Sequence, residues 1–305
     1  MTDQKASRIT DACEQINNKR GCTTPRRVIL QERDVEVLVA VYRFGCMLRS
    51  QIEDRYFGSL QRTNSRLLKL VRAKYLVRIP IPLPSQISTA ASLQAAYMLG
   101  PGGSVVVAGA GGIDPAVIRR QLRHGTQSYL THTVQIVDFC SQLEREVREH
   151  SSISVEGVYP ERIARHEYEV REKQLGQSGS GNWRLEIFKP DLVFVLSSLD
   201  LDSLGFAVEV DLGHTSATAI LKTLDIHSRY REAGLFLKRY KAAYSRTLVI
   251  TTSDIRCNNL TEIFRKEGAT LFWFSTFADA ADHGVLGPIW REPGSSERKQ
   301  LTACD

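Results

Sequence analysis

The sequence predicts a mixed α/β protein, α+β overall, in which a small helical unit closed by a β-hairpin precedes a larger domain built on a central mixed β-sheet. Three observations carry this reading. Helical periodicity dominates from Gln31 to about Lys74, strand and helix signals alternate beyond Trp183, and glycine clusters lie between the two regions. The 305 residues suit two domains, and a composition of 42% hydrophobic and 24% charged residues is that of an ordinary globular protein.

Residues 1 to 28 are polar, carry Lys19, Arg20, Arg26 and Arg27, and lack an apolar period, so they read as a flexible basic arm. From Gln31 a helix places Val35, Leu38, Val41 and Tyr42 on one face and stops near Gly45. A short second helix starts at about Ser50, a good N-cap, and stops at Gly58. The third runs from Ser59 to Lys74, with Leu60, Leu67, Leu68 and Val71 on one side of the wheel and Arg62, Arg66 and Lys69 on the other. YLVRIPI and AAYML then read as two strands around a Pro/Ser-rich loop from Pro82 to Ser92. Three helices and a hairpin over residues 29 to 100 make a winged helix-turn-helix.

The GPGG and GAGG clusters mark residues 101 to 128 as a linker. They lack the G-x-G-x-x-G spacing of a dinucleotide site. The α/β domain, residues 129 to 290, opens with a helix from about His132 to Glu149 and is broken by GQSGSGN. It continues as strands WRLEIF, DLVFVL and FAVEV, a helix from about Ser216 to Phe236, strand TLVITT, a helix over Leu260 to Lys266 and strand TLFWF. Residues 291 to 305 read as a polar tail.

Charge separates the two parts. Residues 1 to 80 hold 16 Lys/Arg against 8 Asp/Glu, so of the net +6 a surplus of eight lies in this block and the remainder sits at −2. A basic block beside a near-neutral one suits a domain that faces phosphates, although a solvated basic surface would look the same. The six cysteines form no C-x-x-C pair and no zinc spacing. Apolar runs such as VVVAGA from Val105 are too short to cross a bilayer, and there is no apolar leader, so the expectation is a reduced, cytoplasmic protein with no membrane partner.

Two sets of residues are candidates for chemistry. Arg62, Asn64, Ser65, Arg66 and Lys69 on the third helix supply the basic and short polar groups that meet phosphates and base edges in a major groove, with Asn64 nearer the buried side. The second set is acidic. If KPDLVFVL and FAVEVD form a hairpin centred on Leu201, Asp191 lies opposite Asp211 and Glu209 follows on the same face. Three crowded carboxylates call for a cation, with Mg²⁺ favoured by oxygen ligands and Mn²⁺ as a substitute, and such an ion activates water against a phosphodiester. The plainer alternative is that these acids simply begin and end strands. Lys222, on the next helix, is either the group that offsets phosphate charge or a solvated lysine, and Glu161 and Glu186 are weaker ligand candidates.

The order RDVEVLVAVYRFGCMLRSQI, RTNSRLLKLVRAKYLVRI, YMLGPGG, HTVQIVDF, KPDLVFVL and FAVEVDLG resembles the replication-relaxation family of plasmid and integrated-element proteins, over about residues 30 to 245. The second half also resembles the restriction-endonuclease-like fold, in which a Pro-Asp strand start and a following Glu-x-Lys strand hold magnesium. Asp191 and Glu209 match that pattern, whereas Asp211 stands where the motif has lysine. The resemblance implies a DNA-binding protein acting on duplex DNA in replication, relaxation or mobilisation of a mobile element, a candidate Mg²⁺-dependent nickase or endonuclease. Its alternative is a non-enzymatic transcriptional or copy-number regulator whose nuclease-like domain serves dimerisation or partner binding. A homodimer on a palindrome suits either role.

Overall fold

The computed structural model describes residues 28–81, 94–122, 125–171, 183–198, 201–213 and 215–301, in two compact units that divide between Asp138 and Phe139. The basic residues of the arm, the Pro82–Ser92 loop, His124 and His214 lie outside the described residues. The mixed α/β class is as the sequence predicts.

In the first unit, helix α1 (Glu32–Phe44) begins where the Asp34 carboxylate accepts the Gln31 N–H at 2.7 Å and ends at Gly45, whose φ of 103° few other residues adopt. Strand β1 (Met47–Leu48) leads into α2 (Arg49–Ile52), which continues as a single π turn over Glu53–Phe57 and stops at Gly58. The N-terminus of α2 is capped by the Gln51 side chain, which accepts the Leu48 N–H at 2.8 Å, and not by Ser50. Helix α3 (Leu60–Arg72) follows Ser59 as expected, and strands β2 (Leu76–Ile81) and β3 (Gln94–Leu99) pair antiparallel, with β1 on the far side of β3. Val35, Leu38 and Val41 of α1 and Leu67 and Leu70 of α3 share one core.

Residues 101 to 122 are not a linker. They form α4 (Pro101–Gly111) and α5 (Pro115–Gln121), whose Val106, Val107, Ala108 and Ile118 join the same core. The glycines that read as loop punctuation serve close packing. A Cβ on Gly103 would lie 2.3 Å from the Tyr75 carbonyl oxygen, and one on Gly100 2.5 Å from that of Lys74. Replacing Gly103→Ala is expected to cost about 1–3 kcal/mol by overpacking, more than the helix propensity that alanine restores. Urea unfolding measures this, and undiminished stability would contradict the packing account.

Helix α6 (Gln127–Glu149) runs through the boundary between the units. The second unit holds β4 (Ile153–Pro160), α7 (Glu161–Ala164), β5 (His166–Arg171), β6 (Trp183–Phe188), β7 (Leu192–Ser198) and β8 (Leu201–Asp211). Then come α8 (Ala217–Glu232), α9 (Leu235–Tyr240), β9 (Ala243–Thr251), α10 (Asp254–Lys266), β10 (Phe272–Thr276), α11 (Phe277–His283), β11 (Trp290–Arg291) and β12 (Arg298–Lys299). Seven strands form one mixed sheet in the order β12-β11-β10-β9-β8-β7-β4, with β8, β9 and β10 parallel and the other pairs antiparallel. Its core on one face joins Val193, Val195 and Ala207 to Tyr230 of α8 and Phe236 of α9, while on the other Phe194 meets Phe139 of α6.

Two expectations change here. WRLEIF is not part of the central sheet: among the described residues β6 pairs with β5 alone, in a separate hairpin. Residues 291 to 301 are not a tail: β11 and β12 extend the sheet, Leu301 is buried, and Arg291 reaches Asp254 and Asp279. The polar character that suggested a tail is consumed in these ion pairs.

Candidate nucleic-acid interface and acidic cluster

Helix α3 buries Thr63, Leu67 and Leu70. Thr63 is tolerated inside because its hydroxyl donates to the Ser59 carbonyl at 2.8 Å. The apolar side is therefore rotated from the one the wheel suggested: Leu60 and Leu68 are exposed, as are Gln61, Arg62, Asn64, Ser65, Lys69 and Arg72. Arg62, Ser65 and Lys69 lie on the outer surface as expected. Asn64 is also exposed and lines a groove of about 450 Å³ with Arg49, Ser50, Leu68, Arg78 and Tyr97, between α3, the start of α2 and the β2–β3 hairpin. Arg49, Arg78 and Arg72 escaped the sequence reading because they stand outside, or at the end of, the helix searched for basic residues.

Arg66 behaves differently from its neighbours. Its Nε donates to Asp34 Oδ1 at 2.8 Å, and one terminal nitrogen donates both to Asp34 Oδ2 and, at 2.7 Å, to the Ile29 carbonyl. Asp34 is 1% exposed, and its hydrogen bonds hold the guanidinium pKa above the ordinary arginine value. Arg66 thus ties α3 to the start of α1, an engagement that the wheel could not show because Asp34 lies 32 residues away.

In the second unit the strand register decides the acids. Leu192 pairs with Val208, and the Asp191 N–H donates to the Val208 carbonyl at 3.1 Å, which sets Asp191 beside Glu209 and not opposite Asp211. Ser198 already pairs with Leu201, so the turn is centred before Leu201 and the register of the acids is displaced by two residues, which preserves the face on which they lie. Asp191 Oδ2 accepts the Val210 N–H at 2.7 Å. Glu209 sits in an acidic neighbourhood: burial first, then the charges of Asp191 and Glu161, push its carboxyl well above the usual range, with Lys189 opposing. Lys189 pairs with Glu161 at 3.0 Å.

Behind Glu209 lies a buried polar chain that the sequence reading missed. His227 Nε2 is 3.0 Å from Glu209 Oε1, and its Nδ1 lies 2.6 Å from the Tyr244 hydroxyl and 3.0 Å from that of Thr247. Burial pulls the His227 pKa down to about 3. The only sequence clue was a lone histidine on the inward side of a helix, which has no spacing partner.

Asp211 does not join this group. It is 3% exposed and is held by Arg256, whose Nε donates to Oδ2 at 2.7 Å, by the Thr251 hydroxyl at 3.1 Å and by the Gly213 N–H at 3.1 Å. Lys222 is exposed on α8, five residues from the inward-facing His227 and therefore well around the helix from it. Glu186 is occupied elsewhere, taking hydrogen bonds from Tyr168 and Arg229. Among the described residues, no three Asp, Glu, His or Cys side chains stand together as a cation site.

A family model described as Replication-relaxation matches residues 38–244, about two thirds of the chain, from α1 to β9. The chain belongs to the replication-relaxation family. No curated protein and no solved structure matches it. The matched span of this replication-relaxation protein contains the whole of α3 as well as Glu161, Asp191, Glu209 and His227. Family membership suggests a role in the replication or relaxation of mobile elements. Among the described residues, no helix is long and apolar enough to cross a membrane.

Proposed function

We propose that this replication-relaxation protein binds duplex DNA of a plasmid or integrated mobile element through its first unit, acting as a winged helix. The observation that carries this is α3, a 13-residue helix whose exposed face offers Gln61, Arg62, Ser65, Lys69 and Arg72 without an acidic residue. Short polar groups beside long cations suit base edges flanked by phosphates. Arg49 and Arg78, across the groove from Asn64, extend the cationic surface toward the hairpin, where a wing would meet the backbone. Arg66 is removed from the set of DNA contacts and assigned to structure. The experiment is titration of a labelled duplex with the full chain: Arg62→Ala with Lys69→Ala is expected to weaken binding by about tenfold or more. Unchanged affinity would sink the reading.

For the second unit, the restriction-endonuclease-like comparison supplies a test of fit for magnesium. The donor set does not meet it. Asp211 is neutralised by Arg256, no lysine occupies its place, and of the remaining acids Asp191 accepts the Val210 N–H, Glu209 lies against His227 and Glu161 is paired with Lys189. This favours the regulator reading over the nickase, with DNA binding retained and phosphodiester cleavage lost. Supercoiled plasmid incubated with the protein in Mg²⁺ or Mn²⁺ is expected to be retarded on a gel but uncut. Open-circular product that requires metal and disappears in Asp191→Ala would restore the nuclease.

A further inference from the structure

The β5–β6 hairpin is fixed to α8 by its inner face. Tyr168 and Arg229 both donate to the buried Glu186, the Phe188 ring stacks on Tyr230 at 3.9 Å, and His166 Nδ1 lies 2.8 Å from the Tyr230 hydroxyl. Its outer face is consequently held in place, and it carries an unusual load. Trp183, Leu185 and Ile187 are 66%, 61% and 37% exposed in one row along β6. The facing row on β5 is acidic, since Glu167 pairs with Ile187 and Glu169 with Leu185, and both glutamates are exposed. A contiguous apolar row rimmed by charge is the mark of a contact surface.

The complement of that surface lies on the same unit. Helix α9 exposes Leu237, at 57%, with the exposed Lys238 beside it and the exposed Lys241 at the helix's C-terminal cap four residues on. The two patches are neighbours. Arg239 on α9 donates to the carbonyls of Ile163 and Arg165, and Tyr240 to that of Ala164, immediately before β5 begins. Burial, with the nearby charges of Arg239 and Lys238, also lowers the pKa of His166 at the start of β5.

From this juxtaposition we infer that the hairpin and α9 form a self-complementary dimer interface, in which the Trp183, Leu185 and Ile187 row of one copy covers Leu237 of a second copy of this chain. A two-fold axis makes each contact twice: Glu167 and Glu169 of one protomer face Lys238 and Lys241 of its partner, and the reverse. Apolar burial supplies the attraction, while the exposed ion pairs set the orientation and reject like-charged arrangements. Glu167 also pairs with Arg165 of its own chain at 2.7 Å, which holds its carboxylate near the rim. A stable interface needs about 800 Å² from each partner, so these elements are its centre and not its full extent. The inference does not depend on DNA binding.

Sedimentation velocity of the full chain tests it. The wild type is expected to sediment as a dimer in the micromolar range. Variant one, Glu167→Lys with Glu169→Lys, and variant two, Lys238→Glu with Lys241→Glu, are each expected to be monomeric, with circular dichroism confirming that both remain folded. Mixed in equal amounts they are expected to recover the dimer mass, because the heterodimer has one set of acid–base contacts with reversed signs and the other set as in the wild type. Leu185→Asp is expected to yield a monomer that no mixture rescues. A monomeric wild type would overturn the inference and leave the face to a different protein. A dimer that neither reversal weakens, or monomeric reversals that do not recombine, would overturn it equally.

Discussion

Replacing Arg66→Ala is expected to destabilise the first unit by about 3–5 kcal/mol, a large share of the total stability of an ordinary domain. The reasoning concerns the partner left behind. Asp34 is 1% exposed and receives its compensation from the Gln31 N–H and from the guanidinium, which bonds both carboxylate oxygens. Truncating the arginine leaves a charge inside the protein with one donor, and the connection from α3 to the Ile29 carbonyl is lost with it. Arg66→Lys is expected to recover only part of the loss, since an ammonium cannot reproduce the two-pronged geometry. Urea unfolding of the wild type and both variants measures this. A stability change no greater than that of Arg62→Ala, a neighbour on the exposed side, would show that the pair contributes little. The same result bears on any DNA-binding study, because a variant lacking Arg66 confounds unfolding with lost contacts.

The second large effect is in the pH dependence of the second unit, and it comes from Glu209 and His227 acting together. Glu209 is raised above its ordinary 4.5 by burial and by the charges of Asp191 and Glu161, while burial lowers His227 from 6.5 to about 3. The two shifts work in opposite directions with pH. Glu209 holds its proton more tightly in the folded state, so its part of the stability is lost as pH rises from 4.5 through the raised folded value. His227 refuses a proton that the unfolded chain accepts, so its part is lost as pH falls from 6.5 toward 3.

Glu209→Gln removes the first half of this balance. It is expected to stabilise the protein at neutral pH by about 1 kcal/mol, or roughly 2–4 °C in Tm, because a half-buried carboxylate repelled by Asp191 and Glu161 is replaced by a neutral group. The advantage shrinks as the pH falls toward 4.5. What remains in the variant is the His227 contribution alone: a loss of stability on acidification from 6.5 to about 3, on the order of 4–5 kcal/mol over the whole range. Thermal melts of both proteins from pH 4 to pH 8 check the sign. A variant less stable than the wild type at pH 7 would show that the Glu209–His227 contact outweighs the repulsion.

The periodic elements of the first unit were legible because local rules govern them, as in α1 with its Gly45 stop and α3 with its Ser59 cap. Over residues 101 to 111 the glycines are ambiguous in sequence, since a glycine that permits a helix to approach a backbone carbonyl has the same letter as one that opens a loop. The register of β7 and β8 depended on the exact residues at the turn, and an error of two there moved Asp191 from Asp211 to Glu209. Long-range partnerships were beyond reach: nothing local joins Arg66 to Asp34, Asp211 to Arg256 across 45 residues, or His227 to Glu209 and Tyr244. Those partnerships decide which charges meet a ligand and which hold the fold together.

The contact proposed between α3 of the first unit and the DNA backbone is checked by the salt dependence of binding. Affinity of the full chain for a duplex is measured over a range of salt concentrations, beside the variant carrying Arg62→Ala, Lys69→Ala and Arg72→Ala, with Arg66 intact. If each of the three cations neutralises a phosphate, the slope of log affinity against log salt becomes shallower by about 2.7 in the variant, at about 0.9 for each contact. A variant whose slope and affinity equal those of the wild type would contradict the account and move the DNA contact, if there is one, to another surface.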